Sequence, residues 1–427
     1  MSSQDFVKLT LQLTTMLCVA FLCGQIMRRL KQPSVVGEMA GGIILGPTIF
    51  GVLAPALHGW LFLSSPDVAV VREALTKLGM LFFLFYAGLE VNLADLRRLG
   101  MRAILIGLVG TVLPIAAGVA LVYAVPGEFW GPTVQRHYFA FALFIGMNLA
   151  NSANPVLARI LIDLGLLNGP IGTLIMCATV VDDLINWTLF AIILSDITPA
   201  AVPIGGSPWL SLTLVGLLLA VVLGVGRWLG PRLLERARPH TAWPGGLIAV
   251  TALLVMLAGS ASEALGVHAF LGAFLVGVAL SGGDARQREA HDVVGRFVMS
   301  FFAPIYFISM GMSANFIANF DLALVTLIFV VACVTKVGAV LLGAWTAGMP
   351  LDREAWAIGF GLNARGATGI ILAGVGLAAN VIDERLFVAI VIMALLTSLM
   401  SGPLMCHLLA DRQPEPVRPV TPTLEVS

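Results

Sequence analysis

Charged residues make up only 11% of this chain, and its basic and acidic side chains number 24 each. So little charge cannot coat a soluble globule of 427 residues, and a net charge of zero offers no basic face to nucleic acid and no field for an acidic soluble substrate. Cysteine is scarce. Cys18, Cys23, Cys177, Cys333 and Cys406 sit in apolar runs without metal-ligand spacing, and they read as small buried hydrophobes. The six histidines are scattered in the same way, so nothing in the sequence supports metal catalysis. A removable signal is also missing: Asp5 precedes Lys8, the first basic residue, and no small-residue cleavage site follows the first apolar run, which reads as a retained helix.

What the chain has in abundance is long apolar sequence: 59% of its residues are hydrophobic and its mean hydropathy is +0.97. Crossing roughly 30 Å of hydrocarbon takes about 20 helical residues, and about thirteen such runs can be counted. They are continuous rather than alternating, which excludes a transmembrane barrel and predicts an all-α integral membrane protein. The spans expected to matter most below are 34–56, 72–93, 101–125, 138–161, 170–195, 265–283, 293–317, 320–347 and 354–380. The tail, residues 411–427, is proline-rich and is expected to be disordered on the cytoplasmic side. Lys and Arg gather in alternate connections, among them Arg28, Arg29, Lys31, Arg97, Arg98 and Arg102, whereas the opposite side holds Lys8, Arg72, Lys77, Arg136 and Arg385. Positive charge marks the cytoplasmic face, so the N-terminus is expected outside and the C-terminus inside.

An odd helix count accommodates two inverted six-helix repeats joined by a linker helix near 208–235. Under that pairing the fifth and twelfth spans correspond, and both are interrupted by polar and helix-breaking residues: Asn151, Ser152, Asn154 and Pro155 in one, Gly361, Asn363, Arg365, Gly366, Thr368 and Gly369 in the other. Matched interruptions in two halves are the sequence signature of a transporter's midplane site, although a small-residue kink can also serve packing alone.

A charge at the membrane centre costs about 2.5 to 3.5 kcal/mol, so each one that persists is a functional candidate. Asp182 and Asp183 lie in the middle of the sixth span. Successive helical residues point roughly 100° apart, so the two carboxylates face different surroundings and cannot share one proton face to face. Thr179 and Asn186 stand one turn away and add hard oxygen atoms suited to an alkali cation. Burial disfavours a bare carboxylate, so one acid can carry a proton in one state and a cation in another, which couples the two fluxes. Lys336, deep in the eleventh span, needs an anionic partner, Asp182 or Asp183, unless it snorkels to the interface. Arg365 cannot be neutralised and either pairs with an acid or caps the broken twelfth span.

Several stretches, in this order, resemble the second cation:proton antiporter family, which holds sodium/proton antiporters, potassium efflux proteins and plant cation/proton exchangers. They are Gln32–Pro47 (QPSVVGEMAGGIILGP), Leu84–Glu90 (LFYAGLE), Asn154–Ile160 (NPVLARI) followed by Asp182 and Asp183, His268–Gly277 (HAFLGAFLVG) and Asn363–Gly366 (NARG). The resemblance implies a homodimer in a cell membrane, with mobile core helices near 101–195 and 320–409 moving against dimerisation helices near 6–93 and 243–317. It implies that Asp183 binds cation or proton, that Asp182 pairs with Lys336, and that paired aspartates accompany electrogenic exchange of two protons per sodium. Potassium exchangers of the family often carry Asn or Gln at the position of Asp182, which favours sodium here. Asn154 stands where some antiporters have an aspartate, so the first interruption would offer an uncharged ligand. No cofactor is implied beyond the transported ions. The alternatives are potassium/proton exchange, a sodium-coupled organic-anion symporter, and a channel or non-transporting sensor. An intramembrane aspartyl protease would present its two acids from different helices, so no enzyme is expected.

Overall fold

The computed structural model describes residues 2–30, 32, 34–63, 65–89, 100–131, 138–164, 166, 169–197, 221–226, 232, 245–264, 269–281 and 285–409. Among them every regular element is helical. The expected linker helix near 208–235 lies outside the described residues apart from Val221–Gly226 and residue 232, as do Glu90 and the tail 411–427.

The chain opens with α1 (Ser3–Arg29), whose start is fixed by a reciprocal cap: Asp5 N–H donates to Ser2 Oγ at 3.2 Å and Ser2 N–H to the Asp5 carboxylate at 2.8 Å. Next comes α2 (Ser34–Leu45), short of the expected 34–56 because Pro47 has no N–H to continue the ladder. The short turns α3 (Phe50–Leu53) and α4 (Pro55–His58) and a π-turn at Gly59–Leu63 lead into α5 (Pro66–Leu89) and α6 (Met101–Ala124). The fifth expected span is two helices, α7 (Tyr138–Ala150) and α8 (Asn154–Asp163), followed by the long α9 (Pro170–Ile197).

In the second half α10 (Gly245–Ala264) and α11 (Ala269–Leu280) precede α12 (Ala285–Phe297), which runs through a π-turn at Val298–Phe302 into α13 (Ala303–Met312). That turn sits just before Pro304, where an α-helical ladder would need a donor that proline lacks. The chain ends with α14 (Leu322–Thr346), α15 (Arg353–Leu362), α16 (Gly366–Ala378) and α17 (Glu384–Leu409).

Seven helical stretches among the described residues are long and apolar enough to span a bilayer, and three shorter apolar ones accompany them. The protein is therefore a multi-pass membrane protein. Small residues let its helices approach closely, as in membrane bundles generally. A methyl on Gly42 of α2 would sit 2.8 Å from the Gly311 Cα of α13, and one on Gly88 of α5 would sit 3.0 Å from the Gly277 Cα of α11. The cysteines correct an expectation: Cys177 is buried, but Cys18 and Cys406 are exposed on α1 and α17. Apolar thiols on the outer face of a membrane helix meet lipid instead of core.

Candidate cation site

Two interruptions build the site. After Ala150 the chain leaves helix through Asn151–Ala153, and Pro155 restarts it in the first turn of α8, where a missing N–H costs nothing. After Leu362 it leaves helix again through Asn363–Arg365, and Gly366, at φ +33°, opens α16. The two gaps lie against each other. Ala153 N–H donates to Ala364 O at 2.8 Å, Ser152 Oγ–H to Leu362 O at 2.7 Å, and Asn151 Nδ2–H to Thr368 Oγ1 at 2.9 Å. Thr368 in turn donates to Ser152 O at 3.2 Å. Two helix C-termini and two N-termini thus meet in the protein interior, each carrying about half a unit of charge.

The protein's own cations compensate the C-terminal ends. Arg365, fully buried, donates to Asn363 O (3.0 Å) and Asn363 Oδ1 (2.6 Å) at the end of α15, to Leu149 O (2.5 Å) at the end of α7, and to Ala332 O of α14 (2.9 Å). Among the described residues it caps helix ends and pairs with no acid. Lys336 of α14 donates to Ala150 O, the last carbonyl of α7. Its ammonium also lies 3.2 Å from Asp182 Oδ1, and both side chains are 2% exposed. The lysine does not snorkel.

Asp182 is fully provisioned. Its Oδ1 accepts from Thr111 Oγ1 (2.5 Å), Asn186 Nδ2 (3.1 Å) and Lys336, and its Oδ2 accepts from the backbone N–H of Ser152 (2.6 Å). Such a set fits an ionised carboxylate, which accepts at both oxygens and donates nothing. Asp183, one residue on, faces other surroundings. Its Oδ2 accepts from Asn154 Nδ2, whereas its Oδ1 is buried with no donor among the described residues. The Oδ1 atoms of Asn154 and Asn186 are buried and undonated in the same way. A buried acceptor without a donor costs about 1 to 3 kcal/mol, so a carboxylate and amide oxygens left in this state ask for a proton or a cation. Hard oxygens of this kind suit an alkali ion.

The structure brings Asp182, Asp183, Asn154, Asn186, Lys336, Asn151, Asn363 and Arg365 to one crossing and divides them between the two acids. Asn186 sides with Asp182, donating to its carbonyl at 3.0 Å as well as its carboxylate. Thr179 turns its hydroxyl to Met176 O at 2.7 Å. Pro155 belongs to α8, and its side chain lies outside the described residues. Two participants carried no usable sequence signal: Thr111 bonds its own helix at Gly107 O (2.7 Å) as membrane threonines commonly do, and Ser398 accepts from Gly366 N–H at 2.9 Å across a long chain separation.

Residues 17–410 match the family model described as the transmembrane sodium/hydrogen exchanger. The Na(+)/H(+) antiporter NhaS4 of Synechocystis is 32% identical over 396 residues, covering 90% of this chain and 93% of that one. Cation/H(+) antiporter 17 of Arabidopsis thaliana is 31% identical over 401 residues, 93% of this chain and 48% of the relative, so the chain spans about half the length of such relatives. K(+)/H(+) antiporter 1 of Saccharomyces cerevisiae is 28% identical over 389 residues, with 88% of this chain and 43% of the relative covered. In three dimensions the fold is that of the sodium proton antiporter MjNhaP1 from Methanocaldococcus jannaschii, with a TM-score of 0.68 over 95% of this chain and 99% of that one at 15% identity.

Proposed function

The chain belongs to the sodium/hydrogen exchanger family, and from that premise we propose that it is a secondary antiporter exchanging a monovalent cation for protons at Asp183. The observation that carries the reading is the undonated Oδ1 of Asp183 beside the undonated Oδ1 of Asn154, both buried at the crossing of two broken helices. Asp183 alternates between a proton and a dehydrated cation, with Asn154 as the neutral ligand. Asn186 and Thr179, one turn away on α9, complete the set as the core moves.

Asp182 and Lys336 form the second proton-linked pair, giving two protons per sodium. An aspartate at 182 favours sodium, while the likeness to a yeast potassium/proton antiporter supports potassium exchange as the second reading. Asn151, Pro155, Asn363 and Arg365 hold the crossing, and the region near 101–195 and 320–409 moves against helices near 6–93 and 243–317 within a homodimer. The N-terminus lies outside a cell membrane and the C-terminus inside.

The test reconstitutes the full chain in vesicles with a pH dye and adds Na⁺, K⁺ or Li⁺. Cation-driven proton flux in the wild type and its loss in Asp183→Asn is the expected result. Undiminished flux in that variant removes the site assignment, and flux equal with all three ions removes the sodium preference.

A further inference from the structure

Two cavities that contain none of the crossing residues adjoin along α5. The smaller, about 400 Å³, lies between α5, the Gly59–Leu63 turn and α13, with Arg72, His58, Thr76, Ser309 and Ser313 in its wall. The larger, about 800 Å³, is bounded by α5, α10, α11, α13 and α16, with Met80, Leu81, Met256, Phe270 and Val375 among its apolar lining. Glu73, Thr76, Met310 and Ser313 line both, so the two adjoin along a shared stretch of wall, the smaller forming a polar end and the larger an apolar end.

Arg72 dominates the polar end. It donates to the neutral Gln12 Oε1 at 2.9 Å and lies 5.9 Å from the Phe62 ring centroid, and among the described residues no carboxylate lies within ion-pair distance of it. Glu73, its neighbour, also lines both cavities but pairs with Lys77 at 2.7 Å, so that carboxylate is balanced by the lysine and Arg72 is left uncompensated. His58 packs edge-on against Phe50, and burial together with the Arg72 charge holds it below the usual histidine range, which keeps it neutral. A guanidinium has five donors and a strong preference for phosphate, so this one has N–H groups to spare beside the hydroxyls of Thr76 and Ser309, which are 3.5 Å apart. In the apolar end, Glu263 is satisfied by Ala269 N–H at 2.8 Å, and the Tyr306 hydroxyl is buried without a partner among the described residues.

We infer that these adjoining cavities together bind an anionic phospholipid, its phosphate on Arg72 and its acyl chain in the apolar space between α5 and α16. A small free anion would satisfy Arg72 but leave the apolar chamber unused. A zwitterionic lipid would bring its own cation to a site that already holds one. Because Val375 and Leu377 of α16 form part of the wall, a bound chain packs against the helix whose first turn builds the crossing.

The test purifies the full chain in neutral detergent and counts retained lipid per protomer by native mass spectrometry after incubation with phosphatidylglycerol, phosphatidylcholine or inorganic phosphate. Phosphatidylglycerol is expected to be held about tenfold more tightly than phosphatidylcholine, whose phosphate is the same but whose choline adds a second cation beside Arg72. Arg72→Gln should abolish that preference. Leu81→Trp, which fills the chamber and leaves Arg72 intact, should cut retention of phosphatidylglycerol by a similar factor and carries the test if Arg72→Gln does not fold. Equal retention of both lipids by the wild type, retention unaffected by either variant, or inorganic phosphate displacing the lipid from both ends would overturn the proposal.

Discussion

A carboxylate and an ammonium 3.2 Å apart in a membrane interior stabilise a fold only while both are present, because removing one strands the other without water. Lys336→Met should therefore cost about 3 to 5 kcal/mol, and the double change Asp182→Asn with Lys336→Met should recover most of it. Thermal unfolding of the purified variants checks this, and a double variant no better than the single would assign the loss to packing. Thr111 offers a finer probe of the same acid. Its single hydroxyl proton has two acceptors, Gly107 O at 2.7 Å and Asp182 Oδ1 at 2.5 Å. When Asp182 is ionised the hydroxyl donates to it; when Asp182 is protonated the hydroxyl turns to Gly107 and accepts instead, so neither state leaves a buried group unpaired. Thr111→Val should displace the pH profile of cation-driven flux and Thr111→Ser should restore it, whereas a purely steric role for Thr111 predicts no displacement.

Helix ends decide what the elements can do. Asp321 caps α14, accepting from Leu324 N–H at 3.0 Å, and ties it to α17 through Arg385 Nε at 2.9 Å. The Leu324 N–H and the Arg385 guanidinium hold the Asp321 carboxyl below its usual value. A depressed folded value means that the contribution is complete above the ordinary aspartate value of about 4 and is lost as pH falls through the lower folded value. Asp321→Ala should cost about 1 kcal/mol at pH 7, and Asp321→Asn less, since asparagine still caps. The difference between wild type and Asp321→Asn in thermal unfolding should vanish in acid. The same helix-end chemistry explains what could be read in advance. Asn151, Pro155, Asn363 and Gly366 announced both breaks because they interrupt otherwise apolar runs. The choice of Asp182 over Asp183 as the partner of Lys336 was not legible from local pattern, because it depends on how α9 and α14 are rotated where both pack on α6. The short α2 was legible in principle at Pro47, but the hydropathy of the residues beyond it masked the signal.

For the molecule as a whole, the consequence of one shared carboxylate is competition. Asn363 O, Leu149 O and Ala150 O at the crossing already accept from Arg365 and Lys336, so on the proposed function the cation would be held by Asp183 and Asn154. That distinguishes this site from one in which unwound carbonyls hold the ion. A proton and a cation that exclude each other at Asp183 obey simple mass action. Below the pH at which the proton occupies half the sites, the apparent half-saturation for the cation should rise about tenfold per pH unit, with the maximal rate unchanged. Flux measured across a grid of pH and Na⁺ concentration in vesicles checks both features together. A maximal rate that falls with acid at saturating Na⁺ would mean that the second proton, proposed at Asp182–Lys336, is not displaced by the cation. Protonating Asp182 would weaken its pairing with Lys336 and so loosen the hold of α14 on α9.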